Sequence, residues 1–404
     1  MSTITKPILL DETGQALLAA EHRRNALLEI LASDKIATLT TNLNEIHQLV
    51  REGIASQVLA IGDQINVAWS DGTNDYTMPM DIVHFGDVEL QDGETVPGMW
   101  LQCHYCTPFG VQFDNAEAFY VCESALPAGT YHVTLATTWS KATAGTYQFT
   151  LTQEVPAGGV LAGFERMPDV LPENWTVKSY TSPSAASPIE TVAVTSGTEG
   201  TDLGTMAYTT VGTLNSMQRT GYGYNRWSQS GIRQWLNSKA AAGAWWTSQN
   251  DFDMPPTELA SKQGFMAGFS DEFLNILGKV KVTTALNTVE GLSDTSEDTY
   301  DTFFLPSLEQ MYGTPQLSGV EGDYWEYWKR ALGLTSPAGT GSANANEAYK
   351  TYAINAQTSA QNVRLRSAFR GGAGSAWYVS ASGYLSDYGL ACYSYRCAPA
   401  CVIV

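Results

Sequence analysis

Hydrophobic and polar positions follow two different periods along this chain, and the first is helical. Residues 14–32 carry a stripe of leucines with no interior Gly or Pro, which predicts an amphipathic helix. A second stripe, from Leu43 to Ile54, predicts another helix that ends near Ser56. We expect residues 1–56 to form an N-terminal helical segment for docking or oligomerisation. Packing of both helices on the chain's own body is the alternative.

From Val58 onward the period falls to about two residues, which predicts β-strands. Residues 130–137 and 145–152 alternate most clearly, and we expect them to pair as a hairpin. Residues 178–200 are rich in Ser, Thr, Pro and Gly and predict a long surface connection. Further strands are predicted at 58–69, 81–85, 99–102 and 118–121.

Beyond residue 221 short helices and strands are mixed, which indicates the α+β class. Ser228 or Ser230 can cap a helix whose apolar face holds Ile232, Trp235 and Leu236. A helix is expected at 270–277, and Ser307 has the spacing of a capping box. Aromatic residues near 324–328 predict another short helix, and strands are expected at 279–286, 350–354 and 362–366.

The stretch from Leu365 to Val404 mixes two kinds of position. It contains no Lys, Glu, Gln, Met or Asn. One set of residues, which we call the frame, has the character of buried structure, whereas the residues between them follow no chemical order and suit a displayed surface. The frame consists of Leu365, Arg366, Trp377, Val379, Gly383, Leu385, Arg396, Ala398, Pro399, Ala400, Val402 and Ile403.

Composition and charge exclude several classes of protein. The 404 residues are 44% hydrophobic and carry a net charge of −19, so a sizeable core is expected and nucleic acid is not an expected partner. No apolar run reaches the ~18 residues of a membrane span, and insertion into a membrane is not expected. The first residues do not resemble a secretory signal, so synthesis in a cytoplasm is expected.

Six cysteines are too few for a disulfide scaffold in a chain of this length. Cys103 and Cys106 have the spacing of half a zinc site or of a redox pair, and Cys122 or His132 could complete a metal site. No second such pair follows. We therefore expect buried thiols, with no metal and no cofactor.

Several motifs resemble a large family of bacterial and phage proteins that have a C-type-lectin-like fold. They are NRWSQSGIRQWLNS at 225–238, GFMAGFSDE at 264–272, FFLPSLEQM at 303–311, and LRSAF, AWYV and YRCAPACVI within 365–403. The resemblance runs from about Thr209 to Val404. Residues 61–102 resemble the strands that open such a domain. The resemblance implies a ligand-binding domain formed by residues 57–107 and 204–404, with a β-rich insertion at 108–203.

Some members of that family are variable proteins of diversity-generating retroelements. There, a reverse transcriptase copies a template repeat with errors at adenines. An asparagine codon altered in this way cannot become Lys, Glu, Gln, Met or Trp, and Trp377 belongs to the frame. A short Gly/Ser-rich β-region could show the same bias by chance, and that alternative stays open. The implied variable, ligand-binding positions are Phe369, Gly371, Gly372, Gly374, Ser375, Tyr378, Ser380, Ser382, Tyr384, Ser386, Asp387, Tyr388, Gly389, Leu390, Cys392, Tyr393 and Tyr395.

The resemblance implies a receptor-binding protein at a phage tail or fibre tip, not an enzyme. Its expected partners are a bacterial surface protein or glycan, copies of itself with a trimer favoured, and other virion tail proteins. Tyr and Ser dominate the variable positions, as they do in antibody binding loops.

Three alternatives remain. A structural tail protein could bury the same surface in a subunit interface. A formylglycine-generating type of oxidase shares the general fold, and Cys392, Cys397 and Cys401 are the cysteines that it could use. Calcium-dependent sugar binding would need a carboxylate-containing motif, and the final stretch does not provide one.

Overall fold

The computed structural model describes most of the chain beyond residue 42. The described residues are 21–22, 42–136, 143–163, 175–206, 217–292, 294–313, 317, 319–331, 350–383 and 385–404. Strands predominate over short helices among them, which confirms the α+β class. Within this part of the chain, no helix combines the length and apolar character needed to span a bilayer.

The helices of the described residues are α1 (Leu43–Arg51), α2 (Ala55–Val58), α3 (Met217–Tyr222), α4 (Gly231–Leu236), α5 (Asp271–Leu274), α6 (Leu308–Tyr312) and α7 (Glu326–Ala331). Two of them begin at the predicted caps. Ser230 caps α4 by accepting a hydrogen bond from the Arg233 amide, and Ser307 forms a complete capping box with Gln310.

The strands are β1 (Gln64–Ser70), β2 (Asp75–Glu89), β3 (Thr95–Cys103), β4 (Ala118–Val121), β5 (Gly129–Leu135), β6 (Gly145–Leu151), β7 (Val160–Ala162), β8 (Thr176–Tyr180), β9 (Glu190–Ala193), β10 (Thr195–Ser196), β11 (Thr201–Met206), β12 (Val280–Ala285), β13 (Ser296–Asp301), β14 (Phe303–Phe304), β15 (Tyr352–Ala353), β16 (Ala356–Ala360), β17 (Val363–Ala368), β18 (Ser375–Val379), β19 (Leu385–Leu390) and β20 (Ala400–Ile403). The predicted hairpin is confirmed as the antiparallel pair of β5 and β6.

One five-stranded sheet, in the order β1-β2-β3-β20-β14, joins the two ends of the described chain. Its strand β20 pairs with β3 on one side and with β14 on the other, both antiparallel. The sheet thereby unites residues 57–107 with the C-terminal part, the two pieces that the domain prediction assigned to one unit.

An aromatic core packs against this sheet. The indole of Trp69 on β1 donates to the carbonyl of Phe265, which lies in the GFMAGFSDE motif. The Phe265 ring contacts Trp235 of α4 and Phe303 of β14, with ring centres 5.2 and 5.0 Å apart. The motifs quoted for the resemblance therefore meet in one core.

Helix α1 lies against the same core. Its apolar residues Ile46, Leu49 and Val50 are buried, and the helix packs on β3. Docking or oligomerisation was predicted for residues 1–56, but for α1 the apolar face is already covered by the chain itself. Residues 14–32, apart from 21 and 22, lie outside the described residues.

Strands β4 to β11 form two four-stranded sheets, in the orders β10-β6-β5-β11 and β4-β7-β8-β9. They enclose a separate core that includes Tyr131, Phe149 and Leu161. Residues 178–200 were expected to be a surface connection, and this was wrong, because they contribute to β8, β9 and β10. The predicted strand at 58–69 was also wrong at its start, since Val58 ends α2 and β1 begins at Gln64.

A buried ionic cluster links residues 108–203 to the rest of the chain. Arg219 of α3 donates to Glu117 at 2.5 Å and to Glu290 at 3.0 Å. Asp114 and Asp253 lie beside this pair and are also buried. Burial and the neighbouring Glu117 carboxylate raise the pKa of Asp253 to about 8, and burial together with Asp253 raises that of Asp114.

Candidate ligand-binding surface

Strands β17, β18 and β19 form a separate antiparallel sheet that carries most of the predicted site. Arg364 is paired with Tyr378, and Tyr378 with Ser386. Partners in register share a face of the sheet, so these three residues lie on one side. Val379 and Leu385 form the next pair and lie on the opposite side, where both are buried.

The predicted frame is confirmed as buried structure, with one exception. Leu365, Trp377 and Val379 enter the main core, and so do Leu385, Ala398 and the apolar residues of β20. Arg366, Gly383 and Pro399 are also buried, whereas Arg396 is partly exposed. The sequence therefore identified supporting positions correctly apart from Arg396, although it did not identify all of them.

Three partly exposed tyrosines form what we call the tyrosine patch: Tyr378, Tyr393 and Tyr395. The ring centres of Tyr378 and Tyr395 are 4.9 Å apart, and those of Tyr393 and Tyr395 are 5.5 Å apart. Tilted rings at these distances stabilise one another beyond the apolar area that they bury. The patch is a fixed aromatic surface contributed by β18 and by the loop that follows β19.

Arg364 lies directly beneath the tyrosine patch and is fully buried. Its guanidinium donates to the carbonyl oxygens of Gly389, Leu390 and Tyr393, at 2.5, 2.8 and 3.1 Å. Burial lowers the pKa of Arg364 to about 10, so it keeps its charge at neutral pH. The arginine thus fixes the backbone from which the patch projects.

Asn225 fixes the backbone of the loop between β17 and β18 in the same way. Its side-chain amide donates to the carbonyl oxygens of Phe369, Gly372 and Ser375, at 3.1, 2.6 and 2.7 Å. Asn225 is the first residue of the NRWSQSGIRQWLNS motif, which gives that motif a direct structural link to the predicted variable positions. Sequence reasoning assigned neither Asn225 nor Arg364 to the site.

The predicted variable positions fall into three groups. Tyr384 lies outside the described residues, as do the side chains of Asp387 and Tyr388. Another group is buried: Gly372, Gly374, Ser375, Gly389 and Leu390. The third group is exposed or partly exposed and consists of Phe369, Gly371, Tyr378, Ser380, Ser382, Ser386, Cys392, Tyr393 and Tyr395.

The buried group corrects the expectation that every variable position is displayed. A Cβ atom at Gly389 would lie 2.5 Å from an Arg364 nitrogen and 2.7 Å from the Ala376 carbonyl oxygen. Glycine is required there because Arg364 and β18 approach the backbone so closely. Gly372 and Ser375 are held inside by the hydrogen bonds from Asn225.

A cleft of about 220 Å³ borders the tyrosine patch. Cys392 and Tyr393 line one side, while Gln112, Lys178 and Thr257 line the others. The Gln112 side chain donates to the Cys392 carbonyl oxygen at 2.8 Å and accepts from the Thr257 amide at 2.7 Å. Lys178 belongs to β8, so residues of the predicted insertion reach the candidate surface.

The cysteines of the CHYC segment are buried, as predicted. Burial raises the pKa of the Cys103 thiol and raises that of Cys106 to about 12, so neither is a ready nucleophile. The described part of the chain contains no group of three or more His, Cys, Asp and Glu residues placed to hold a metal ion. Of the other cysteines, Cys397 and Cys401 are buried and Cys392 is partly exposed.

Comparison with known proteins places the surface within one matched region. Residues 205–404 match the model of a family described as a domain of unknown function, DUF6273. No curated protein and no solved structure matches the chain. The matched region contains β12 to β20 and all predicted variable positions. It does not include β1 to β3, which complete the sheet around β20.

Proposed function

We propose that this protein is a non-enzymatic ligand-binding protein with a C-type-lectin-like C-terminal domain, and that its ligand is a bacterial surface protein or glycan. The tyrosine patch carries the proposal. It combines large, partly exposed aromatic side chains with a backbone fixed by a buried arginine. Such rigid aromatic contacts lose little conformational entropy when a ligand binds.

We further propose that the surface is diversified by a retroelement. The exposed group of variable positions includes the tyrosine patch, and its members Cys392 and Tyr393 line the neighbouring cleft, whereas the frame apart from Arg396 is buried. Side chains in such an arrangement can change without removing core contacts. The buried positions, Gly389 above all, should then vary much less than the exposed ones.

The proposed setting is the tail or fibre tip of a phage, where the protein would mediate attachment to the host. One patch of this size would bind its ligand with modest affinity. A homo-oligomer, with a trimer favoured, would present several patches to one cell surface and raise the overall affinity through avidity.

The coding DNA and its surroundings provide the decisive test. We expect a near-identical repeat that differs from the codons of 365–404 only at adenines, together with a reverse transcriptase gene. Population sequencing should then show substitutions at Tyr378, Tyr393 and Tyr395, with Trp377 and Val379 unchanged. Absence of both the repeat and the reverse transcriptase gene would refute diversification, while binding could still be tested separately.

A further inference from the structure

Lys350 has an unusual backbone and an unusual environment. It is the one non-glycine residue with a positive φ, 57°, among the described residues. Its side chain is fully buried. A left-handed lysine costs free energy, and such a conformation persists only where the surroundings determine it strongly. Specific contacts around Lys350 must therefore hold its backbone and its amine in place.

The Lys350 amine faces a single described carboxylate, that of Asp81 on β2. The Nζ atom contacts Asp81 Oδ2. The side chain of Asp81 is only 2% exposed. Nζ also lies 4.5 Å from the ring centre of Tyr327 and 5.8 Å from that of Trp328. Amine and carboxylate thus meet in an apolar, aromatic enclosure.

His104 completes the group from the solvent side. Its Nδ1 atom lies 2.9 Å from Asp81 Oδ2 and 3.2 Å from Oδ1, and its side chain is 14% exposed. Gln64 donates to Asp81 Oδ1 at 3.0 Å and holds the carboxylate in place. The imidazole can therefore exchange protons between the Asp81 oxygens and solvent.

We propose that Lys350 and Asp81 react with each other to form an intramolecular amide cross-link. The bond forms between Nζ of Lys350 and Cγ of Asp81, and one Cγ–O bond breaks. The two protons that the ammonium loses leave with that oxygen as water. The charges cancel, and no oxidant, reductant or other reagent is required. His104 moves the protons by way of Asp81 Oδ2, the atom that both Nζ and the imidazole contact.

The enclosure favours this reaction over a permanent ion pair. Two charges removed from water carry a large desolvation cost, which an amide abolishes. Burial lowers the pKa of Lys350, which helps release the proton that blocks the amine. Against its burial, Lys350 and His104 lower the pKa of Asp81 to about 2, so the carboxylate is ionised at neutral pH and the departing oxygen needs a proton donor, the role assigned to His104. Because the two groups are already in contact, the reaction avoids the loss of translational and rotational entropy that an intermolecular reaction would incur.

The cross-link would join two parts of the chain that are 269 residues apart in sequence. Asp81 lies in the five-stranded sheet, and Lys350 lies just before β15 and the sheet that carries the tyrosine patch. A covalent link across so long a loop restricts the unfolded chain strongly, as a disulfide would. Unlike a disulfide, the amide is insensitive to reductants.

Intact-mass spectrometry of the denatured, reduced full-length chain tests the proposal. The wild type should be lighter than its sequence by the mass of one water molecule. Lys350→Arg should show the full mass of its own sequence, because a guanidinium does not acylate under these conditions. Proteolysis should release a branched peptide that contains Asp81 and Lys350. Lys281→Arg, which alters a partly exposed, ion-paired lysine, should keep the mass deficit.

A folded wild-type protein with its full sequence mass would overturn the proposal, even if Lys350→Arg failed to fold. A deficit that persists in Lys350→Arg, or that maps to another pair of residues, would overturn it as well. His104→Gln supplies a second measurement, since glutamine can still bond to Asp81 but cannot carry a proton. Freshly purified His104→Gln should contain uncross-linked chain, and full cross-linking at the wild-type rate would contradict the role of His104.

Discussion

The guanidinium carbon of Arg364 lies 4.5 Å from the centre of the Tyr395 ring. This contact brings a fully buried cation against a partly exposed tyrosine, and it connects the interior of the domain to the candidate ligand surface. The attraction between a cation and an aromatic face fixes the ring from below. Burial and the neighbouring tyrosines, with Tyr378 foremost, raise the pKa of Tyr395 to about 12, so the phenol remains protonated at neutral pH.

Replacement of Arg364 by methionine should destabilise the fold by about 3 kcal/mol or more, because buried carbonyl oxygens of 389–393 lose their donors. Arg370→Met is the matched control, since Arg370 is partly exposed and has one long hydrogen bond to the Thr295 carbonyl oxygen. Urea unfolding measures both variants. Equal, small effects in the two would show that Arg364 does not support the patch.

Trp377→Ala should cost ~3–5 kcal/mol of unfolding free energy, as expected for a large core side chain. Tyr393→Ala, only a few positions beyond β19, should cost less than about 1 kcal/mol, because its ring is partly exposed. Thermal and urea unfolding of the two variants, compared side by side, would show whether Trp377 supports the fold while Tyr393 does not. A large loss in Tyr393→Ala would place that residue in the frame.

Loss of the tyrosine patch should abolish binding without loss of the fold. Tyr378→Ala and Tyr393→Ala should each weaken adsorption of the labelled protein to intact bacterial cells at least tenfold, the effect of about 1.4 kcal/mol at a binding hot spot. Cells from a panel of strains serve as the probe. Tyr300→Ala, which removes a partly exposed tyrosine of β13, should bind normally. Unchanged adsorption of both patch variants would refute the assigned surface.

Stability should fall as the pH rises from about 5 to 8, because Asp253 and its neighbour Asp114 hold protons in the folded state. An unfolded aspartate titrates near 3.9, whereas the pKa of folded Asp253 is raised to about 8. Between these values the folded chain binds more protons than the unfolded one, so higher pH favours unfolding. Urea midpoints at several pH values measure the slope. Asp253→Asn should flatten it, and an unchanged slope would remove Asp253 as its source.

Local patterns predicted the elements of this protein better than its long-range contacts. The caps at Ser230 and Ser307 and the hairpin of β5 and β6 depend on residues close in sequence, and all three were predicted. Val58 to Ile61 misled the strand prediction, because their alternation is short: Val58 ends α2, and β1 begins only at Gln64. Ser and Thr at 178–200 suggested a loop, although both residues are common at exposed strand positions.

In the candidate site, too, residues with local signals were predicted and residues that act through long-range contacts were not. Burial of Trp377 and Val379 could be inferred from residue type and spacing alone. Arg364 and Asn225 could not be assigned, because their partners are carbonyl oxygens, which every residue carries. Asn225 reaches residues 144 to 150 positions away. The need for glycine at 389 likewise depends on a guanidinium that arrives from another strand.

The place of β20 in the five-stranded sheet limits how the gene for the C-terminal stretch can change. A shift of reading frame anywhere in 365–399 would also rewrite Ala400 to Ile403, the strand that hydrogen-bonds to both β3 and β14. Such a chain would lack an interior strand and would fail to fold. If the proposed diversification operates, insertions and deletions that shift the frame would therefore be eliminated with the protein itself, whereas substitutions at exposed positions would be retained.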